Sequence, residues 1–206
     1  MILKSLIVGP LEVNCYILAC ERTGEGIVID PGDEPQEILS AIAEEGISIR
    51  EIVATHGHFD HIGFAREVQE ALKVPFAIHR DDLSLVEGLA DAGALFGVKV
   101  GPPPEVTRFL AEGDEVRFGD ETLRVLHTPG HSLGGVTLVR NNIAIVGDCL
   151  FAGSIGRTDM PGQSHDLLMV SIWDKLLTLD DATEVYPGHG PPTTIGQERS
   201  TNPFLR

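Results

Sequence analysis

Short apolar runs ended by glycine or proline alternate along the chain with segments whose apolar residues recur at helical spacing. The runs predict strands at 26–30, 49–55, 74–78 and 183–186, and hairpins that pair 115–118 with 122–127 and 136–140 with 142–146. Helices are predicted from Pro35 to Gly46, over 64–73, from an Asp81 cap to about 90, and from a Ser164 cap to 179. Because hairpins and helices recur in both halves, the pattern favours two sheets packed between helices.

Composition narrows the class of protein. The chain has 206 residues, of which 42% are hydrophobic, and this favours a single domain over residues 1–206. Its 15 Lys and Arg against 31 Asp and Glu give a formal net charge of −16, which disfavours nucleic acid and anionic membrane surfaces as partners. No apolar run is long enough for a membrane span, and residues 1–10 do not resemble a signal peptide. Three cysteines without zinc-site spacing suit the reducing cytoplasm, where we expect the protein.

Histidines and aspartates follow the ends of the predicted strands. The segment 56–61 reads H-x-H-x-D-H and comes directly after strand 49–55. The others follow later strands: His131 after 122–127, Asp148 after 142–146 and His189 after 183–186. Strand ends are where α/β-type proteins carry reactive side chains, and the glycines beside these residues let the backbone approach a crowded site.

These side chains are those that bind divalent metals. One ion could take His56, His58 and His131, and a second could take Asp60, His61 and His189, with Asp148 bridging the two. Imidazole nitrogen and carboxylate oxygen suit zinc, which we expect first, and also iron or manganese. A water shared by two cations ionises to hydroxide near neutral pH, so the pattern predicts a centre that activates water. The remaining histidines, His79, His127 and His165, are interpreted as structural or surface residues, and Cys149 as a small buried one.

Five motifs resemble, in order, those of the metallo-β-lactamase superfamily. They are Asp30 in Ile-Asp-Pro-Gly, the 56–61 segment, His131, Asp148 and His189. The resemblance extends over nearly the whole chain and implies an α+β fold, a four-layer αβ/βα sandwich of two similar halves with the metals at one edge between the sheets. It also implies that Asp30 orients the metal site by contacting its ligands.

Within that superfamily the chain is most similar to glyoxalase II-like hydrolases, which cleave S-acylglutathione thioesters. The matching segments are 14–16, 129–132, 147–151 and 186–190, and the segments 153–159 and 198–205 resemble the short bacterial type. Typical glyoxalase II has a further C-terminal helical region that helps to hold glutathione, whereas this chain stops soon after His189. The sequence therefore does not identify the thiol that carries the acyl group.

The chain also resembles a second branch of the superfamily, whose members carry out oxygen chemistry. Segment 153–159 also resembles the persulfide dioxygenases, which use the same fold with a single iron bound by residues matching His56, His131 and Asp148. The motifs alone leave a mononuclear iron oxidoreductase as the alternative to a hydrolase.

The leading hypothesis is thioester hydrolysis by the metal-bridging hydroxide. Asp60 is expected both to bind metal and to orient the proton of that hydroxide. Arg157 is a candidate for pairing with a substrate carboxylate, and an ion pair with Asp159 is the alternative. The expected partner is a small anionic thioester, and the sequence makes no prediction of oligomeric state.

Overall fold

Two six-stranded sheets form the middle of the computed structural model, which describes residues 1–206. The first sheet takes its strands in chain order: β1 (Ile2–Val8), β2 (Val13–Ala19), β3 (Glu25–Ile29), β4 (Ser48–Val53), β5 (Phe76–His79) and β6 (Val106–Leu110). β1, β2 and β3 pair antiparallel, and β3 to β6 pair parallel. The predicted strands 26–30, 49–55 and 74–78 correspond to β3, β4 and β5.

The second sheet is built from the C-terminal half. Its strands are β7 (Glu115–Phe118), β8 (Glu121–His127), β9 (Val136–Arg140), β10 (Ile143–Gly147), β13 (Glu184–Pro187) and β14 (Thr193–Thr194), in the order β14-β13-β10-β9-β8-β7. β11 (Leu150–Phe151) and β12 (Ser154–Ile155) form a separate small ribbon. Both predicted hairpins are confirmed, as β7 with β8 and as β9 with β10.

Helices cover the outer faces of both sheets. They are α1 (Pro35–Glu44), α2 (Phe59–Ile62), α3 (Ala65–Leu72), α4 (Leu83–Glu87), α5 (Leu89–Phe96), α6 (His165–Ser171) and α7 (Ile195–Thr201). Ile38 of α1 and Val68 of α3 pack against the first sheet, while Leu168 of α6 and Ile195 of α7 pack against the second. No helix is both long and apolar enough to cross a bilayer.

Besides the apolar contacts between the helices and the sheets, an apolar cluster lies between the two sheets. It joins Tyr16 and Ile27 of the first sheet to Leu123 and Val136 of the second. With helices outside and two sheets inside, the layers form the predicted αβ/βα sandwich.

The structure corrects three details of the sequence interpretation. β1, β2 and β6 were not predicted; β2 is buried along its whole length and therefore shows no alternation of polar and apolar residues. Asp81 caps no helix: a 3-10 turn over Arg80–Asp82 precedes α4, and a second helix, α5, follows. Ser164 does cap α6 by accepting from the Leu167 amide, but the helix continues as a π-helical segment that ends at Leu176 rather than at 179.

Candidate metal centre

The ends of β4, β8, β10 and β13 carry the predicted ligands to one place. His58 Nδ1 lies 2.9 Å from His131 Nε2, and the rings of His56 and His131 have centroids 4.9 Å apart. The donor atoms of His56, His58 and His131 all lie within 4.8 Å of one another. The three imidazoles therefore form one compact group, although His131 is distant from the other two in sequence.

A second compact group lies beside the first. The donor atoms of Asp60, His61 and His189 also lie within 4.8 Å of one another, and His189 Nε2 is 3.3 Å from Asp60 Oδ2. Asp148 lies between the groups, with Oδ1 3.4 Å from His61 Nε2 and Oδ2 3.4 Å from His131 Nε2. The structure thus brings together all seven residues that the sequence predicted as ligands.

Hydrogen bonds on the outer nitrogen orient four of the imidazoles. Nδ1 of His131 lies 2.9 Å from the Arg157 carbonyl oxygen, and Nδ1 of His189 lies 2.9 Å from that of Leu11. A carbonyl only accepts, so each Nδ1 carries the proton and donates it. Nδ1 of His61 donates to Asp30 Oδ2 in the same way, and His56 Nδ1 lies 3.1 Å from a hydroxyl. Each ring then turns its Nε2 toward the cluster, where that of His131 faces His58 Nδ1 and those of His56 and His61 have no hydrogen-bond partner.

Several of the inward-facing atoms are buried without a hydrogen-bond partner. They are Nε2 of His56, Nε2 of His61 and Oδ1 of Asp148. An unpaired buried polar atom costs about 1–3 kcal/mol, so three at one place indicate a missing partner. Two imidazole lone pairs and a carboxylate oxygen form a donor set for a divalent cation, and these residues fit a metal.

Two groups of the cluster also have the ionisation states that metal ligands need. Burial opposes ionisation of Asp148, but His61, His131 and His189 hold the pKa of its carboxyl well below the ordinary value. Burial lowers the pKa of His58 to about 4, and the nearby His131 acts in the same direction. The cluster therefore keeps an anionic carboxylate beside a neutral imidazole, which are the forms that bind metal.

Asp30 lies behind the ligands and is buried at the end of β3. Its carboxylate accepts from the Thr55 amide at 2.7 Å, from the Thr55 hydroxyl at 2.5 Å and from His61 Nδ1 at 2.9 Å. Its φ of 53° lies in the left-handed region, which aspartate tolerates better than most residues. Asp30 therefore ties β4, through Thr55, to the ring of His61.

The loop that carries His189 is held by β2. Asn14 Nδ2 donates to the Pro187 and Gly190 carbonyls at 2.9 Å each, and the Tyr16 hydroxyl donates to Pro187 at 2.6 Å. These contacts give a physical reason for the 14–16 segment, which the sequence matched only by resemblance. Together they fix the chain on both sides of His189.

Asp82 is a site residue that sequence reasoning missed. It is completely buried, and its carboxylate accepts from the Gly57 amide at 2.8 Å, the Ser132 hydroxyl at 2.8 Å and the Gly134 amide at 2.6 Å. Burial raises the pKa of its carboxyl. Gly57 lies between His56 and His58, and Ser132 follows His131, so Asp82 joins the two ligand loops. The Asp81-Asp82 pair was visible in the sequence, but its partners lie far away along the chain.

A cavity of about 590 Å³ opens onto the cluster. His58, Asp60, His131, Asp148 and His189 line it, and most of the remaining wall is apolar. Arg157 also lines the cavity, and its guanidinium donates to both carboxylate oxygens of Asp159, at 2.8 and 3.0 Å. The ion pair, one of the two roles considered for Arg157, is therefore formed.

The other histidines lie away from the cluster or outside its contacts. His79 and His127 stack on each other, with ring centroids 4.1 Å apart and planes 8° from parallel. Cys149 is buried in the core beside α6, and burial together with Asp148 raises the pKa of its thiol to about 12. These residues agree with the structural roles expected for them.

Two curated relatives cover nearly the whole chain. Probable metallo-hydrolase YqgX of Bacillus subtilis (strain 168) is 40% identical over 96% of this chain and 94% of its own length. Hydroxyacylglutathione hydrolase GloC of Haemophilus influenzae is 34% identical over 96% of this chain and 95% of its own.

Two solved structures and a family model also match most of the chain. BLEG-1, a B3 metallo-beta-lactamase, superposes with a TM-score of 0.92 at 35% identity over 99% of both chains. TTHA1623, crystallised in a di-iron-bound form, gives 0.91 at 41% identity over 98% of this chain and all of its own. The sequence model of the metallo-beta-lactamase superfamily matches residues 8–189. This chain, with its sandwich fold and its converging histidines and aspartates, belongs to the metallo-beta-lactamase superfamily.

Proposed function

We propose that this protein is a metal-dependent hydrolase that cleaves thioesters by glyoxalase II-like chemistry. His56, His58, His131, Asp60, His61 and His189 would hold the ions, and Asp148 lies between the two groups. The observation that carries the proposal is the pair of three-residue groups joined by Asp148, with unpartnered Nε2 and Oδ1 atoms aimed inward. The relative GloC, a hydroxyacylglutathione hydrolase, supports the choice of thioesters.

Two divalent ions at this cluster would polarise the acyl carbonyl and lower the pKa of the attacking water. In the overall reaction, the water oxygen bonds to the acyl carbon, and the C–S bond breaks with its electron pair on sulfur. The products are a carboxylate, a thiol and a proton. A thiolate leaves readily, so the site needs no strong general acid, and none of the cavity's neutral side chains has to supply one.

The protein's own residues contribute position and charge. His61 and His189 hold the pKa of Asp60 below its ordinary value against the effect of burial, so its carboxylate is anionic and could accept a hydrogen bond from the attacking water. Asp30 and the Arg157 and Leu11 carbonyls fix the ring orientations, and Asp82 fixes the two ligand loops relative to each other. Such pre-positioned groups reduce the reorganisation that the reaction requires.

The mononuclear iron alternative has an observation in its favour. His56, His131 and Asp148, the residues that match the persulfide dioxygenases, lie together within the larger cluster. His58, Asp60, His61 and His189 favour two ions, because a single ion leaves those donors without a use.

The test is hydrolysis by metal-loaded protein. We expect release of free thiol from S-lactoylglutathione or from a simple acyl thioester, with zinc, iron and manganese tried separately. His58→Ala and Asp148→Ala should abolish that release, whereas Asp174→Asn, an exposed residue on the π-helical segment, should not.

Other outcomes would redirect the assignment. Full activity in either ligand variant would contradict the proposal. Oxygen uptake with glutathione persulfide by a one-iron protein, without thioester cleavage, would favour the dioxygenase. A β-lactam belongs in the same panel because BLEG-1 is a B3 metallo-beta-lactamase, and exclusive β-lactam cleavage would also overturn the thioester proposal.

A further inference from the structure

The predicted ligands form one part of the wall of the cavity beside the candidate metal centre. Most of the rest of that wall is apolar. Its apolar lining comes from α4 and α5 on one side and from the segment after β10 on the other: Leu85, Ala92, Leu95, Phe96, Phe151, Ile155 and Met160. Leu11, next to the His189 loop, contributes as well. A concave apolar wall beside a few converging polar groups is the usual form of a small-molecule site.

Two side chains of α5 are exposed on this wall. Leu95 is 79% exposed and Phe96 is 46% exposed, although both are apolar. The Phe96 ring stacks on that of Phe59, with centroids 5.0 Å apart, and Phe59 directly precedes Asp60. Adjoining exposed apolar side chains in a cavity mark a surface that a ligand covers, because such patches are otherwise unfavourable in water. The patch reaches the reacting end of the cavity through Phe59.

The cavity offers little for a charged substrate group. Apart from the proposed ligands, Arg157 is its only charged lining residue, and Asp159 already accepts from that guanidinium at two oxygens. A glutathione conjugate carries two carboxylates and an ammonium group, and the cavity lining offers them no free charged partner. The formal net charge of −16 also repels anions from the molecule as a whole.

We propose that the acyl group of the substrate is an uncharged hydrocarbon, on an uncharged carrier thiol, and that it packs against Leu85, Leu95 and Phe96. This rests on the thioester hydrolysis proposed above and narrows its substrate class. The bond changes are the same: water adds to the acyl carbon, the C–S bond breaks, and an apolar carboxylate and a thiol are released.

The first experiment varies only the acyl chain. Metal-loaded protein is assayed with N-acetylcysteamine thioesters from acetyl to hexanoyl, and with S-lactoylglutathione. We expect kcat/KM to rise about fourfold for each added methylene that the wall covers, and to be lowest for the glutathione conjugate. A flat or falling series, or a preference for S-lactoylglutathione, would overturn the inference.

A variant then tests the wall itself. Leu95→Ser removes an exposed apolar group and should fold normally, and it should lower kcat/KM for the hexanoyl thioester by about tenfold while changing the acetyl thioester much less. Leu167→Ser is the matched control, since Leu167 is 41% exposed on α6 and lies outside the cavity lining. Equal losses for both thioesters, or no loss in Leu95→Ser, would contradict a role for this wall.

A binding measurement separates this inference from the proposed reaction. S-alkyl N-acetylcysteamine thioethers carry the chain but no cleavable bond, and calorimetry gives their affinity for the protein whether or not it hydrolyses thioesters. If no thioester is cleaved, the proposed function fails, yet affinity that rises with chain length and falls in Leu95→Ser still supports an apolar ligand. Thioesters that are cleaved, combined with thioethers that bind independently of chain length, would sink this inference alone.

Discussion

At the scale of single residues, four of the five proposed histidine ligands are oriented by a contact on the side away from the cluster. His131 and His189 donate to main-chain carbonyls of Arg157 and Leu11, and His61 donates to the Asp30 carboxylate. Such contacts fix both the tautomer and the rotation of the ring, and a carboxylate partner also makes the imidazole a stronger ligand. The ligand geometry is therefore built before any ion arrives.

Removing the charge of Asp30 should weaken metal binding. Asp30→Asn keeps the size of the side chain and tolerates the left-handed φ of 53°, but it offers a neutral amide to His61 and Thr55. We expect metal affinity to fall by about 10- to 100-fold, measured by competition with a chelator. Asp174→Asn, on an exposed side chain, is the control, and an unchanged affinity in Asp30→Asn would refute the role given to Asp30.

Asp82→Asn should lower stability. The carboxylate accepts two amides and a hydroxyl, whereas the amide side chain has one acceptor oxygen and would present an N–H to one of these donors. We expect the free energy of unfolding to fall by about 1–3 kcal/mol, measured by chemical denaturation of metal-free protein. Stability equal to that of the unmodified protein would show that these contacts are replaceable.

At the scale of elements, the ends of some strands carry the ligands, and residues of other strands hold the ligand loops in place. β13 leads to His189, but β2 fixes the loop through Asn14 and Tyr16. The close approach is visible at Gly188, where a Cβ would overlap Asp148 Oδ1 and His61 Cε1. This glycine is therefore required by the space between the ligands.

Gly188→Ala should disrupt the centre without unfolding the protein. The added methyl group displaces Asp148 or His61, so we expect metal affinity to drop by at least about tenfold. Gly190→Ala is a matched control in the same loop, since nothing lies within 4 Å of its added Cβ and its φ of +73° costs about 1–2 kcal/mol of stability. Equal metal affinity in the two variants would count against a crowded site.

The sequence predicted those parts of the centre whose residues lie close together along the chain. The 56–61 segment carries its ligands within six positions, so residue type and spacing were enough to find it. Asp82 was missed because its role depends on Gly57, Ser132 and Gly134, which only the fold brings near. The carbonyls of Leu11 and Arg157 could not be predicted either, since every residue has one.

At the scale of the whole molecule, contacts between the two sheets position the centre. Besides the apolar cluster between them, His79 at the end of β5 stacks on His127 at the end of β8. Burial and the proximity of His127 lower the pKa of His79. The stack therefore joins the two halves best when His79 is uncharged.

The stacked pair predicts a loss of stability in acid. Below the ordinary pKa of 6.5, the unfolded chain takes up a proton that the folded His79 resists, so the free energy of unfolding falls as the pH falls. His79→Phe keeps the stacked ring and cannot be protonated, so it should lose less stability between about pH 7.5 and pH 5. Denaturation of both metal-free proteins at these pH values measures the difference, and parallel losses would contradict the prediction.

The central claim is that the seven clustered residues hold two divalent ions. Elemental analysis of purified protein, with the chain concentration measured in the same sample, tests it most directly. We expect two ions per chain, and a clear loss in Asp148→Ala, because Asp148 contacts both groups of ligands. One ion per chain that persists under saturating metal, or an unchanged content in Asp148→Ala, would contradict it.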